Sequence, residues 1–146
     1  MTIKRMDHVG IIVDDLEAAT AFFVELGLEV EGKAAVEGDS VDRVVGLDGV
    51  RSNIVMLLTP DGHSRIELAK FQTPVGPKGD PHTPSNALGI RHVTFAVEGI
   101  DELLDRLRAH GAELVGQLVQ YENSYRLCYI RGPEGIIIEL AEQMKR

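Results

Sequence analysis

Residues 90–115, IRHVTFAVEGIDELLDRLRAHGAELV, decide the fold, because the chain has already used that pattern once. Slid back by 84 positions, they lie without a gap on residues 6–31, MDHVGIIVDDLEAATAFFVELGLEVE. His92 then falls on His8, Val93 on Val9, Val97 on Val13, Leu107 on Phe23 and Gly111 on Gly27. A second echo follows each copy. Pro60-Asp61-Gly62 leads to Ile66-Glu67-Leu68-Ala69, and Pro133-Glu134-Gly135 leads to Ile138-Glu139-Leu140-Ala141. Internal repetition of this kind means that one supersecondary unit is used twice. Each unit has one His near its start and one Glu near its end.

Outward from the repeat, periodicity changes in the same order in both halves. Residues 7–13 alternate as a strand does, with Val9, Ile11 and Val13 on one face. Asp14, with Glu17 three residues on, can form a capping box, and Leu16, Ala19, Phe23 and Leu26 recur at helical spacing before Gly27. Residues 41–45 and 54–58 read as strands, Thr59-Pro60-Asp61-Gly62 as a turn, and 64–71 as the closing strand. Four of the six prolines then fall within residues 72–89, which marks a linker. In the second half, 91–97 is a strand and Ile100, Leu103, Leu104 and Leu107 mark a helix closed by Gly111. Residues 113–121, 126–131 and 136–142 follow as strands, and 143–146 are expected to fray. The fold class is α+β: two tandem βαβββ modules, over about residues 3–71 and 90–143, making one domain of residues 1–146.

A chain of 146 residues, 44% of them apolar, suits one globular domain, and either half alone would be marginal. The net charge of −8 argues against nucleic acid or an anionic membrane surface as partner, since both need clustered Lys and Arg. No apolar run approaches the length that spans a bilayer, and the first residues lack the apolar run of a signal peptide. The single Cys128 leaves no internal disulfide. These features predict a soluble, cytoplasmic protein.

Alternation also decides which way the four repeated polar residues face. The bulky residues Val93, Phe95 and Val97 match Val9, Ile11 and Val13, and this face can bury the helix. The opposite face has His8 with Gly10, and His92 with Thr94 and Ala96. In the closing strands Ile66 and Leu68, like Ile138 and Leu140, are the bulky set, while Glu67 goes with Ala69 and Glu139 with Ala141. Ile12, Arg65 and Ile137 are exceptions to the small-residue rule on that side. Small residues around an ionisable group make a poor core and a plausible cavity wall. Paired with pseudo-two-fold symmetry, two such units would gather two imidazoles and two carboxylates. That donor set suits one divalent ion among Ni, Co, Zn, Mn and Fe, and the cation would relieve the repulsion between the carboxylates.

At Asp7-His8-Val9, Arg91-His92-Val93 and the two Ile-Glu-Leu-Ala segments, the chain resembles the vicinal oxygen chelate superfamily. That family includes glyoxalase I, methylmalonyl-CoA epimerase, extradiol dioxygenases and the fosfomycin and bleomycin resistance proteins. The resemblance covers essentially the whole chain. It implies an incomplete barrel around a metal site, with His8, Glu67, His92 and Glu139 as ligands. Glu67 at the fourth position looks more like the lyase, isomerase and epimerase branch than the three-ligand dioxygenases. Where glyoxalase I holds glutathione with an Arg and an Asn, this chain has Ile12 and Phe71, and the run from His8 to Leu16 is closer to the epimerase. Where some epimerases carry a further Glu, residues 50–58 offer Asn53 and Met56.

The implied enzyme uses a metal-bound carbonyl or enediolate, with Glu139 or Glu67 as the catalytic base. Asn53, Met56, Tyr125 and Tyr129 are its candidate substrate contacts. Two alternatives stand beside it: an Fe-dependent extradiol-type dioxygenase, and a non-catalytic binding protein of the bleomycin-resistance type. The partners expected are a small-molecule substrate and a second copy of the chain, because exposed edge strands need covering. His63, His82, His110 and Cys128 are read as structural or solvent-facing, with no chemistry assigned.

Overall fold

The structure, a computed structural model, describes residues 2–144. It is α+β, with two sheets and three helices, and divides into two compact units, Met1–Lys78 and Gly79–Arg146. The division falls inside the proline-rich segment read as a linker.

The first unit runs β1 (Val9–Ile12), α1 (Leu16–Leu26), β2 (Glu29–Glu37), α2 (Asp39–Val45), β3 (Arg51–Leu58) and β4 (Arg65–Thr73), and its sheet order is β1-β4-β3-β2. β1 and β4 are parallel neighbours, so the first and last strands of the module lie side by side. α1 buries Ala19, Phe22, Phe23 and Leu26, the sheet buries Val55, Leu57, Ile66 and Leu68, and Val13, just past β1, is buried with them. Gly27 closes the helix at φ 128°, a conformation that L side chains rarely adopt.

The second unit repeats the plan with β5 (His92–Ala96), α3 (Ile100–Arg108), β6 (Glu113–Leu114), β7 (Val119–Tyr121), β8 (Tyr125–Arg131) and β9 (Ile137–Gln143). Its order is β5-β9-β8-β6, with β7 also paired to β8, and β5 runs parallel to β9. Ile100, Leu103, Leu104 and Leu107, the apolar positions read from spacing, are the buried face of α3. Both modules therefore follow the βαβββ plan that the repeat predicts, the first with α2 added after its second strand and the second with two short strands, β6 and β7, in place of one.

Several local expectations need correcting. Residues 41–45, read as a strand, belong to α2. Val41, Val44 and Val45 have i, i+3, i+4 spacing, and Gly46 ends the turn in the left-handed region. β2 gave no sequence signal because almost all of it is exposed, so its two faces are not sorted by polarity. The N-cap of α1 is Asp15, not Asp14: its carboxylate accepts from the Ala18 amide at 3.0 Å, while Asp14 pairs with Lys70. The strand expected over 113–121 is broken into β6 and β7. Of the segment expected to fray, Gln143 ends β9 and the Met144 amide donates to Ser124 O at 2.8 Å; residues 145 and 146 lie outside those described. Among the described residues no helix is long and apolar enough to cross a membrane.

Candidate metal centre

In a parallel pair, residues in register share a face, and this topology does for each module what alternation alone could not. It puts the first-strand His beside the last-strand Glu. Gly10 is in register with Glu67, and His8 lies one alternate position back, with its Nε2 3.7 Å from Glu67 Oε2. Thr94 is in register with Glu139, and His92 Nε2 lies 3.7 Å from Glu139 Oε1. Both His are exposed and both Glu are half-buried, so the pairs sit on the open side of their sheets.

A carboxylate accepts and cannot donate, so the 2.8 Å contact between His8 Nδ1 and Asp7 Oδ2 places the ring proton on Nδ1. In the neutral ring the Nε2 lone pair then faces the Glu67 carboxylate. Two acceptors aimed at each other need a proton or a cation between them. Donors each about 2.1 Å from one ion lie roughly 3–3.5 Å apart, so a 3.7 Å pair needs little adjustment to hold one. The hydrogen bond to His8 also holds the Asp7 carboxyl below its usual value, with Arg5 adding to the effect. Carboxylates that orient a ligating imidazole in this way are a regular feature of metal sites. In neither unit, among the described residues, does a cluster of three or more His, Cys, Asp or Glu suited to an ion occur; each supplies a pair.

Of the candidate substrate residues, Met56 is in register with Glu67, and Tyr129 with Glu139. The Tyr129 ring also lies 4.8 Å from that of His92, tilted by 37°. Tyr125 is on the same face as Tyr129 four residues away, at the exposed end of β8. Asn53 is in register with Lys70, out of phase with Glu67, and so belongs to the other face of its sheet. Ile12, on the Gly10 side, is 62% exposed. Cys128 is buried, and burial pushes its thiol up, away from the nucleophilic form.

Sequence reasoning missed the roles of Asp7 and Thr94. Thr94 Oγ1 donates to Glu139 Oε1 at 2.8 Å. The signal for both was available. Asp7 precedes the first His, and Thr94 is the position at which the two repeats differ as Gly and Thr.

Comparison with known proteins gives the family and the fold. The model of the Glyoxalase/Bleomycin resistance protein/Dioxygenase superfamily matches residues 5–140. The crystal structure of a glyoxalase family protein from Bacillus cereus is 55% identical, covers 99% of this chain and 97% of that one, and has a TM-score of 0.96. The uncharacterized protein YaeR of Escherichia coli (strain K12) is 26% identical over 144 residues, 97% of this chain and 98% of its own. A mutant of the fosfomycin resistance protein FosX from Listeria monocytogenes, complexed with Mn(II) and 1S,2S-dihydroxypropylphosphonic acid, shares the fold. It has 19% identity and a TM-score of 0.61, over 98% of this chain and 95% of that one.

Proposed function

Because the chain belongs to the Glyoxalase/Bleomycin resistance protein/Dioxygenase superfamily, we propose that it is a divalent-metal-dependent lyase, isomerase or epimerase acting on a small, oxygen-rich substrate. The observation that carries this reading is the His–Glu pair found twice, at 3.7 Å in each unit, on the open face of the sheet. His8, Glu67, His92 and Glu139 would hold one ion of Ni, Co, Zn, Mn or Fe, supplied by one chain or by two copies in a homodimer. FosX, a relative by fold, was crystallised with Mn(II), which is in keeping with such an ion.

Once bound, the ion would supply Lewis acidity, stabilising negative charge on a substrate oxygen. The rest falls to the chain. Asp7 keeps the His8 proton on Nδ1, so that the ring offers a lone pair. Glu67 or Glu139 takes the proton from the carbon next to the substrate carbonyl, for which it must come within hydrogen-bond reach. Met56 and Tyr129, the cross-strand neighbours of the two carboxylates, would pack against the substrate. Tyr125 lies farther along β8 on the Tyr129 side, whereas Asn53, on the other face of its sheet, is not a substrate contact in this reading. Ile12 and Phe71, where glyoxalase I has glutathione-binding residues, favour a substrate other than a glutathione adduct.

Metal analysis of protein purified without chelator tests the reading directly. Stoichiometric divalent metal is expected, falling sharply in His8→Ala and in His92→Ala. Full metal content in either variant would overturn the ligand assignment. With metal retained, full turnover by Glu139→Gln would take Glu139 out of the proton-transfer role.

A further inference from the structure

The two carboxylates of the candidate centre are braced differently, and the difference is written at one position of the repeat. Position 94 is Thr, in register with Glu139, and its hydroxyl donates to Glu139 Oε1 at 2.8 Å. That oxygen is the one 3.7 Å from His92 Nε2. The equivalent position 10 is Gly, in register with Glu67, and it has no side chain with which to donate. The glycine is not required by the backbone, since its φ lies outside the left-handed region. Nor is it required by space. A Cβ at Gly10 would meet Glu67 Oε1 at 3.9 Å, an ordinary contact. What the glycine does is leave Glu67 untethered on that side.

The neighbouring positions differ in the same sense. Glu139 faces Tyr129, a stiff ring packed on His92, whereas Glu67 faces Met56, a flexible thioether chain. At the imidazoles the bracing is reversed. Asp7 holds His8, and the equivalent residue before His92 is Arg91. Each unit thus fixes one donor by hydrogen bond: the imidazole in the first, the carboxylate in the second.

We infer that Thr94 is a positioning residue that fixes Glu139 as the static ligand, and that Glu67 is the carboxylate left free to move on and off the ion. This rests on the four-ligand reading above. It narrows the choice of mobile carboxylate to Glu67.

The test is the Kd for Mn²⁺, measured by calorimetry and by the EPR signal of the free ion, in Thr94→Val, Thr94→Ser, Gly10→Ser, Glu139→Gln and Glu67→Gln. Loss of an outer partner of this kind costs about 10- to 100-fold in metal affinity, so Thr94→Val is expected to bind about tenfold more weakly, with Thr94→Ser restored. Gly10→Ser, which offers Glu67 a hydroxyl, is expected to bind more tightly than the parent. Glu139→Gln is expected to lose more affinity than Glu67→Gln. A Thr94→Val affinity within about twofold of the parent, or equal losses in the two Gln variants, would overturn the inference. Thr94 is exposed, so its variants should fold; Thr94→Ala is the second removal if Thr94→Val does not. His8→Ala and His92→Ala separate the two failures. If they too leave Mn²⁺ binding unchanged, the four-ligand reading falls. If they abolish it while Thr94→Val does not change it, only the assignment of Thr94 falls.

Discussion

With its Nδ1–H donating to Asp7 at 2.8 Å, the neutral His8 ring turns a lone pair toward Glu67, and one exposed carboxylate maintains that tautomer. Asp7→Ala frees the ring to change tautomer or rotate. Zn²⁺ affinity, read by competition with a chromogenic chelator, is expected to fall about tenfold. The melting temperature of the metal-free protein should change little, because Asp7 is exposed and its pairs with His8 and Arg5 are surface pairs. An undiminished affinity would mean that Asp7 merely lies near the ring.

At the scale of elements, α3 shows how the second module holds its helix against its sheet. Its N-cap is Gly99, which has no side chain, and the cap comes instead from β9. Glu142 accepts from the Gly99 amide at 2.7 Å and from the Ile100 amide at 3.1 Å. These are two of the orphan donors at a helix start, where a negative charge also suits the dipole. Glu142→Ala should therefore lower stability by about 1 kcal/mol in urea titration, the usual cost of a lost cap. The first turn is tied to β8 as well, through Asp101 and both terminal nitrogens of Arg126, at 2.6 and 3.0 Å. Hydrogen bonding to Arg126 holds the Asp101 carboxyl below its ordinary 3.8. A carboxyl whose pKa is depressed by folding stabilises above its unfolded value, and that contribution is lost as pH falls through the folded one. Asp101→Asn should accordingly flatten the acid limb of the stability curve below about pH 4. An acid limb as steep as that of the parent would show the pair to be without effect.

For the molecule as a whole, an ion bound by the folded chain and not by the unfolded one adds stability by mass action. At an ion concentration about 100 times Kd this is about 2.7 kcal/mol, or roughly 5–10 °C in Tm for a chain of this size. The measurement is a thermal melt with added Mn²⁺ or Zn²⁺ and again with EDTA. His8→Ala should show no such difference. A parent protein whose Tm ignores both ion and chelator would speak against a resident metal.

The repeat was legible in the chain itself, and with it the βαβββ order, the buried faces of α1 and α3, and the side of the strand on which His8, Glu67, His92 and Glu139 lie. These follow from periods of 2 and 3.6 wherever one face is buried and the other is not. Where neither face is buried the rule is silent, and there β2 was missed and α2 taken for a strand. Alternation could say that a His and a Glu face the same side, but not that they are neighbours. Their 3.7 Å separation exists because first and last strands pair in parallel, a contact between residues nearly sixty apart in the first unit and nearly fifty in the second. Asp7 on His8, Thr94 on Glu139 and Glu142 under α3 belong to the same class. Each is a hydrogen bond whose meaning depends on rotamer and strand register, which local composition does not encode.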